Sequence, residues 1–160
     1  MRILMLAALA LTAIAAQIAF AAPKVGDTAT FDATVTVGAA TTKATAVLEL
    51  LKQDGEKFLQ RTTVTYEGAQ PSVTEEWKEA SELLDDARVD EVLAGCAAQG
   101  GKPGKITVPA GTFDACELGY DDEGSSGTDW IAKVPFGTAK SVYTLKADGK
   151  RVELSLRSFH

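Results

Sequence analysis

The chain has 160 residues, a formal net charge of −6 and one histidine, His160 at its end. Lys and Arg are scattered singly among Asp and Glu, which argues against a nucleic-acid partner, because neutralising phosphates requires clustered cations. The chain also lacks a G-x-S-x-G motif and a phosphate-binding glycine loop, so neither a serine nucleophile nor a nucleotide site is indicated. We therefore expect a non-enzymatic protein with no cofactor and no bound metal ion.

The first 21 residues predict an export signal. Met1 and Arg2 form a short positive start, residues 3–18 are almost wholly apolar, and Ala19-Phe20-Ala21 has the small-x-small pattern of a cleavage site. We expect cleavage after Ala21 and a periplasmic or secreted single domain of residues 22–160, without stable membrane insertion. A membrane anchor is the alternative, because about 18 apolar residues can span a bilayer. Gln17 and the alanine-rich end argue against it.

From residue 27 onward, apolar and polar residues alternate, which is typical of β-strands with one buried face. Asp54-Gly55 and Asp148-Gly149 each predict a hairpin between two such strands, because a tight two-residue turn favours positive φ. Further strands are predicted over residues 72–77, 112–120 and 128–134, so that the chain has about eight strands in all. The segment from Gly100 to Gly104 is interpreted as a plain loop.

Residues 81–101 depart from this alternation. Ser81 is suited to cap the start of a helix and Gly100-Gly101 to end one. Between them, apolar residues recur at helical spacing: Val89, Val92, Leu93 and Cys96. We predict one short helix over residues 82–98.

The fold class follows from the connections between the predicted strands. Parallel strands need crossovers of about a dozen or more residues, and only the helical stretch is long enough for one. The sheet is therefore expected to be antiparallel, and a twisted sheet of this size usually curls. The predicted fold is mainly β: a curled antiparallel sheet, either a half-barrel or a barrel, with one short helix. A sandwich is the alternative.

Cys96 and Cys116 are the two cysteines of the chain. In an exported protein, such a pair is most simply a disulfide, because the extracytoplasmic space lacks the systems that keep thiols reduced. Closing a loop of this size stabilises a fold by about 3 kcal/mol in the chain-entropy model. A catalytic thiol is the sharper alternative, but the terminal His160 is poorly placed to act as its base.

Two acidic regions of the sequence are candidate sites. The first surrounds residues 124–127 and could ligate calcium, but its spacing does not fit an EF-hand, so we interpret it as a solvated hairpin loop. A carboxylate hydrolase using Asp121 and Asp129 would need both acids in one cleft. The members of the first region are Asp121, Asp122, Glu123 and Asp129. The second is a surface that could meet a basic partner: Glu75, Glu76, Glu79, Glu82, Asp85, Asp86, Asp90 and Glu91.

Two motifs in the second half of the chain suggest a family. One is PAGTF at residues 109–113, followed by Cys116, and the other is W-x4-PFG-x2-K at residues 130–140. They resemble an uncharacterised family of bacterial periplasmic β-domains that is similar in fold to the half-barrels of periplasmic lipoprotein carriers. The resemblance covers about residues 105–159 and implies fold and compartment while leaving function open. From the residues themselves, both motifs indicate turns. The motif positions are Pro109, Gly111, Phe113, Pro135, Gly137 and Lys140.

The leading functional hypothesis is a binding or carrier module whose concave apolar face, closed by the helix, holds a hydrophobic or lipid-like ligand. Alternation of buried and exposed positions, together with the large size of Trp130, suggests the residues that would line this face: Phe31, Leu48, Trp130, Tyr143 and Leu154. The alternative is an envelope interaction or assembly protein. It would dock a basic partner through the second acidic region, and its sheet would be filled by its own side chains.

Overall fold

The structure, a computed structural model, describes residues 22–160, so the predicted export signal lies outside it. One curled and unclosed antiparallel sheet of nine strands makes up most of the described chain, as predicted for the fold class. The strands are β1 (Thr28–Val37), β2 (Ala40–Asp54), β3 (Lys57–Tyr66), β4 (Ser72–Glu79), β5 (Lys102–Val108), β6 (Gly111–Asp121), β7 (Ser125–Ala132), β8 (Thr138–Leu145) and β9 (Arg151–Phe159).

The strand order is β4-β3-β2-β1-β9-β8-β7-β6-β5. The sheet is thus two meanders joined by pairing of the first strand with the last, and β4 and β5 form its two edges. β5 includes Lys102 to Gly104, so the interpretation of that segment as a loop is wrong. Pro103 has no N–H to donate, and an edge strand tolerates this because its outer side has no neighbour to accept a bond.

The alternation of the first strands places one face of the sheet in the core. Ala29, Phe31 and Ala33 of β1 are buried, as are Ala46 and Leu50 of β2. Residues of the opposite parity are mostly threonine and charged side chains that remain partly exposed. This pattern of buried and exposed positions is the one predicted for strands with a single buried face.

The predicted hairpins are present. β2 and β3 are joined by Gly55 and Glu56, one residue later than predicted, and Gly55 has φ +58°. β8 and β9 are joined through a longer turn in which Gly149 has φ +68°. The PAGTF motif also forms its predicted turn, because Val108 and Gly111 are paired on either side of residues 109 and 110.

The connection between β4 and β5 is broken into three pieces and is not the single helix that was predicted. A 3-10 turn (Ala80–Glu82), helix α1 (Asp86–Ala94) and a second 3-10 turn (Ala97–Gln99) follow one another. Between the first two, Leu83 is extended and buried against Leu50 and Phe58, which interrupts the helix. The cap is therefore Asp85 and not Ser81: the Arg88 N–H donates to Asp85 Oδ1 at 2.8 Å.

A disulfide holds the end of this connection against the sheet. Cys96 lies just beyond α1, Cys116 lies on β6, and their Cα atoms are 5.7 Å apart. Both cysteines are buried. Gly101 lies against the bridge, where an added Cβ would be 2.7 Å from Cys116 Sγ. The bridge therefore ties the β4–β5 connection to the second meander.

Candidate ligand-binding groove

A groove of about 420 Å³ is formed by strands of both meanders together with the β7–β8 turn. Four of the five residues suggested by the sequence lie on it, while Trp130 does not. Its lining residues are Phe31, Leu48, Tyr120, Ser125, Asp129, Phe136, Thr138, Ser141, Tyr143 and Leu154. The groove thus combines an apolar surface with a small polar region, an arrangement common in small-molecule sites.

Strand pairing explains how the polar and apolar parts meet. Asp129 of β7 pairs with Ser141 of β8, Ser141 pairs with Leu154 of β9, and Leu154 pairs with Ala33 of β1. Directly paired residues of neighbouring strands point to the same face of a sheet. A single row across four strands therefore runs from a carboxylate to small and branched apolar side chains.

Asp129 and Ser141 form the polar centre of the groove. Ser141 is 7% exposed, and its Oγ donates to Asp129 Oδ1 at 2.6 Å. Burial raises the pKa of Asp129 above its ordinary value, and the hydrogen bond from Ser141 acts in the opposite direction. A carboxylate has a second oxygen that can accept further hydrogen bonds, so Asp129 retains capacity for a donor.

Tyr120 and Tyr143 lie on either side of Gly127, since both pair with it across the sheet. A Cβ at Gly127 would lie 2.5 Å from the Val142 carbonyl oxygen and 2.7 Å from Tyr143 Cβ, so this position excludes any larger residue. Burial raises the pKa of both tyrosines, and the nearby Asp129 charge raises it further. The two hydroxyls therefore stay protonated at neutral pH.

The β7–β8 turn forms one wall of the groove. Gly137 N–H donates to the Val134 carbonyl at 2.8 Å, which closes the turn predicted from Pro135 and Gly137. Phe136 has φ +64° and is the only non-glycine residue with a positive φ among residues 22–160. Its ring packs against the main core and against the smaller cluster that contains Leu83. Packing on both sides holds this strained residue in place.

Trp130 and Lys140 of the second motif have a different role. Lys140 Nζ lies 5.4 Å from the centre of the Trp130 ring and 2.8 Å from Glu153 Oε1. Trp130 is adjacent to Asp129 in a strand, and successive strand residues point to opposite faces. Phe113 of the first motif lies with its ring centre 6.2 Å from that of Phe159. These motif residues therefore support the sheet outside the groove.

The acidic loop at residues 121–125 is a turn stabilised by its own side chain. Asp122 Oδ1 accepts from the N–H groups of Gly124 at 2.8 Å and Ser125 at 2.7 Å, and these hydrogen bonds lower the pKa of Asp122. Asp121 is paired with Lys146. Asp121 follows Tyr120 on β6 and so points away from the face that carries Asp129. The two carboxylates suggested for a hydrolase do not share a cleft.

Most members of the second acidic region are already paired within the chain. Glu75 pairs with Arg61 at 2.8 Å, Glu79 with Lys57 at 2.9 Å, and Asp90 with Lys133 at 2.8 Å. Glu76 also contacts Lys78, and Asp85 caps α1. The net negative field of this region is therefore weaker than its sequence indicates.

Six groove residues were not identified as ligand-lining from the sequence: Tyr120, Ser125, Asp129, Phe136, Thr138 and Ser141. One signal was available for Ser141, because it has the same strand parity as Tyr143. The position of Asp129 opposite Ser141 depends on the register of β7 and β8, which shifts between Trp130 and Ile131. Such an irregularity has no clear sequence signature.

No protein-family model matches the chain, and no curated protein gives a significant sequence match. The family resemblance drawn from the two motifs therefore stays a prediction.

Three solved structures are similar to this chain at low sequence identity. One is a candidate exported protein with a YmcC-like fold from Bacteroides fragilis, at 9% identity and a TM-score of 0.49, covering 88% of this chain and 98% of that one. Another is a candidate lipoprotein from Parabacteroides distasonis, at 10% identity and a TM-score of 0.49, covering 88% and 97%. The Pseudomonas aeruginosa MucA/MucB complex is similar at 11% identity and a TM-score of 0.44, covering 84% of this chain and 51% of that chain.

In the described part of the chain, no helix has the length and apolar character needed to cross a membrane.

Proposed function

We propose that residues 22–160 form a non-enzymatic periplasmic binding or carrier protein that holds a hydrophobic, lipid-like small molecule in the groove. The observation that carries this proposal is the apolar groove on the inner face of a curled, unclosed sheet, lined by Phe31, Leu48 and Leu154. Its volume falls within the range of typical ligand pockets. The disulfide supports an oxidising compartment.

The affinity expected for an alkyl ligand can be estimated from the number of methylene groups that it buries. Each buried methylene contributes about 0.8 kcal/mol, so a chain of about eight methylenes would contribute roughly 6 kcal/mol. Association and ordering costs reduce this figure by several kcal/mol. A single short alkyl chain would therefore bind weakly, and additional polar contacts would be needed for tight binding.

Titration with N-phenylnaphthylamine, a neutral apolar fluorescent probe, tests the groove directly. We expect saturable fluorescence with the wild-type protein and at least about a tenfold weaker apparent affinity for Leu48→Trp, because the larger ring fills the groove. Val47→Trp is the matched control, because Val47 precedes Leu48 on β2 and points to the other face. Wild-type protein that leaves the probe dark, and that yields no bound small molecule by native mass spectrometry, would refute the proposal.

The proposed compartment is tested separately. Cell fractionation and amino-terminal sequencing of the mature protein should give a periplasmic product that begins at Ala22. Alkylation without reduction should modify neither cysteine. A cytosolic product with two reactive thiols would contradict this part of the proposal.

A second candidate function is docking of a basic envelope partner. It is favoured by Val73 and Trp77, which are 56% and 45% exposed on edge strand β4 beside Glu75 and Glu79. Paired carboxylates already neutralise part of this surface, so its support is weaker than that of the groove. Salt-sensitive capture of a basic partner should be lost in Trp77→Ala and in Glu75→Lys, and retained in Glu123→Lys. Capture unaffected by the first two changes would exclude this surface.

A further inference from the structure

The lining of the groove carries a carboxylate and no cationic side chain. None of its ten lining residues is Lys, Arg or His, and Asp129 is the one acidic residue among them. Elsewhere in the described chain, strand carboxylates such as Asp32, Glu75 and Glu153 contact a cation of a neighbouring strand. Across residues 22–160, the charge of Asp129 is compensated only by the hydroxyl of Ser141.

An uncompensated carboxylate in a partly buried apolar site is energetically unfavourable. Removing a charge from water has a large cost unless an opposite charge or several hydrogen bonds replace the lost hydration. Ser141 supplies a single hydrogen bond and occupies one carboxylate oxygen. A second donor, preferably a charged one, would lower the free energy of Asp129 most, because charge-assisted hydrogen bonds are the strong ones.

The surroundings of Asp129 also suit a cation. Tyr120 and Tyr143 line the same groove and carry aromatic faces, which attract cations. Both hydroxyls are protonated at neutral pH, so they add no negative charge that would draw in a metal ion instead. On the other side of Asp129, the row of paired residues continues through Ser141 to Leu154. A cationic group at Asp129 would therefore be followed directly by apolar surface.

We propose that the ligand of this groove is a cationic amphiphile: a protonated amine that donates to the Asp129 carboxylate, attached to an apolar body that packs on Phe31, Leu48 and Leu154. This inference rests on the proposed ligand-binding function and specifies the chemical class of the ligand. It also excludes one class, because the carboxylate of a fatty acid would be placed beside a like charge. Neutral lipids would bind through apolar contacts alone.

Competition among three probes of equal chain length tests the inference. Decylamine, decanol and decanoate are titrated below their aggregation concentrations against protein saturated with N-phenylnaphthylamine at neutral pH. We expect half-displacement by decylamine at about tenfold lower concentration than by decanol, with decanoate the weakest. Equal displacement by all three, or preference for decanoate, would overturn the cationic ligand class while leaving the binding function standing. Absence of probe binding would instead overturn the binding function itself.

Substitutions of single carboxylates test whether Asp129 is the group that gives the preference for decylamine. Asp129→Asn is nearly isosteric and keeps an acceptor for Ser141, so it should lose the preference for decylamine: decylamine and decanol should displace half of the bound probe at similar concentrations, whatever the affinity of this variant for the probe itself. Asp121→Asn, an exposed carboxylate near the groove, is the control and should keep the preference. Should Asp129→Asn fail to fold, the carboxyl carbon-13 resonance of Asp129 in wild-type protein provides a second measurement. It should shift on addition of decylamine and stay unchanged with decanol, and the reverse result would refute the contact.

Discussion

Asp32 and Asp129 are both strand residues of the same sheet, but they lie in opposite electrostatic settings. Asp32 on β1 contacts Arg157 of β9, and the two side chains are 43% and 48% exposed. Asp129 on β7 is partly buried, contacts Ser141 and has no cationic neighbour within residues 22–160. On one face of the sheet, the charge of Asp32 is therefore neutralised by Arg157 and screened by solvent, whereas the charge of Asp129 in the groove has no opposite charge beside it.

The difference shows which residues are needed for folding and which are available for a ligand. A cross-strand ion pair on a wet surface contributes little, because water and salt screen it. A partly buried carboxylate opposes folding unless something neutralises it. Asp32 thus lies on a surface that needs no ligand to neutralise its charge, and Asp129 lies in a site that a bound cation would complete.

The largest effect on the free energy of unfolding is expected when the disulfide that supports the groove wall is removed. Phe136 of the groove wall packs against Leu83, and the connection that carries Leu83 is tied to β6 by the disulfide. We expect the double change Cys96→Ser and Cys116→Ser to lower the free energy of unfolding by about 3 kcal/mol, measured by urea denaturation. Probe binding should fall with it, while Asp32→Asn, with the bridge intact, should leave probe binding unchanged and lower the free energy of unfolding by no more than about 1 kcal/mol. A double variant as stable as the wild type would show that the connection holds without the bridge.

The next effect concerns the space between the tyrosines of the groove. Gly127→Ala places a Cβ within 2.5 Å of a backbone oxygen of β8, which cannot move without disturbing the sheet. We expect a loss of roughly 1 to 3 kcal/mol in the free energy of unfolding, measured by urea denaturation. Gly119→Ala is the control, because its added Cβ would be 3.8 Å from the nearest atom, an ordinary contact. Equal stability of the two variants would contradict the close approach of β7 and β8.

Alternation in the sequence located the inner face of the sheet but did not identify its polar centre. Phe31, Leu48 and Leu154 lie on one side of the sheet, as expected because a strand with one buried face has a period of two. At residues 129 and 130 only one of two neighbours can point inward, and size and hydrophobicity favoured Trp130. The structure places Asp129 on the groove, where Ser141 of the next strand donates a hydrogen bond to it, while Trp130 packs against the main core outside the groove. A partner 12 positions away cannot be inferred from local pattern.

Tertiary contacts also explain the errors outside the groove. The predicted helix over residues 82–98 is broken because Leu83 is buried in an extended conformation against Phe58 of a distant strand. The strand β5 was missed because Gly104 and Pro103 indicate a loop by propensity, whereas an edge position accepts both. Turn residues were the most predictable elements, because Gly55, Gly111 and Gly149 have positive φ for local reasons.

A smaller effect is expected from the hydrogen bond that Ser141 donates to Asp129. Ser141→Ala removes this donor and leaves the carboxylate without a partner, which should lower the free energy of unfolding by about 1 to 2 kcal/mol. Because the hydrogen bond lowers the pKa of Asp129, its loss should raise that pKa, measured by carboxyl carbon-13 titration. Ser155→Ala on the other face is the control and should change neither quantity. An unchanged titration of Asp129 would show that Ser141 does not act on the carboxylate.

The smallest effect on the free energy of unfolding is expected when Asp32 or Asp129 is replaced by asparagine. The sign of this effect should differ between the two faces of the sheet. Asp32→Asn removes an exposed ion pair and should lower the free energy of unfolding by no more than about 1 kcal/mol. Asp129→Asn should raise the melting temperature at neutral pH, because burial raises the pKa of Asp129 and the ionised form therefore opposes folding. This penalty is absent below the ordinary aspartate pKa of 3.8 and appears as the pH rises through the higher pKa of the folded state. The gain from Asp129→Asn should consequently shrink as the pH is lowered toward 3.8, in thermal unfolding followed by circular dichroism. Destabilisation by Asp129→Asn at neutral pH would mean that the carboxylate is already compensated within the fold, and the contrast between the two faces would no longer hold.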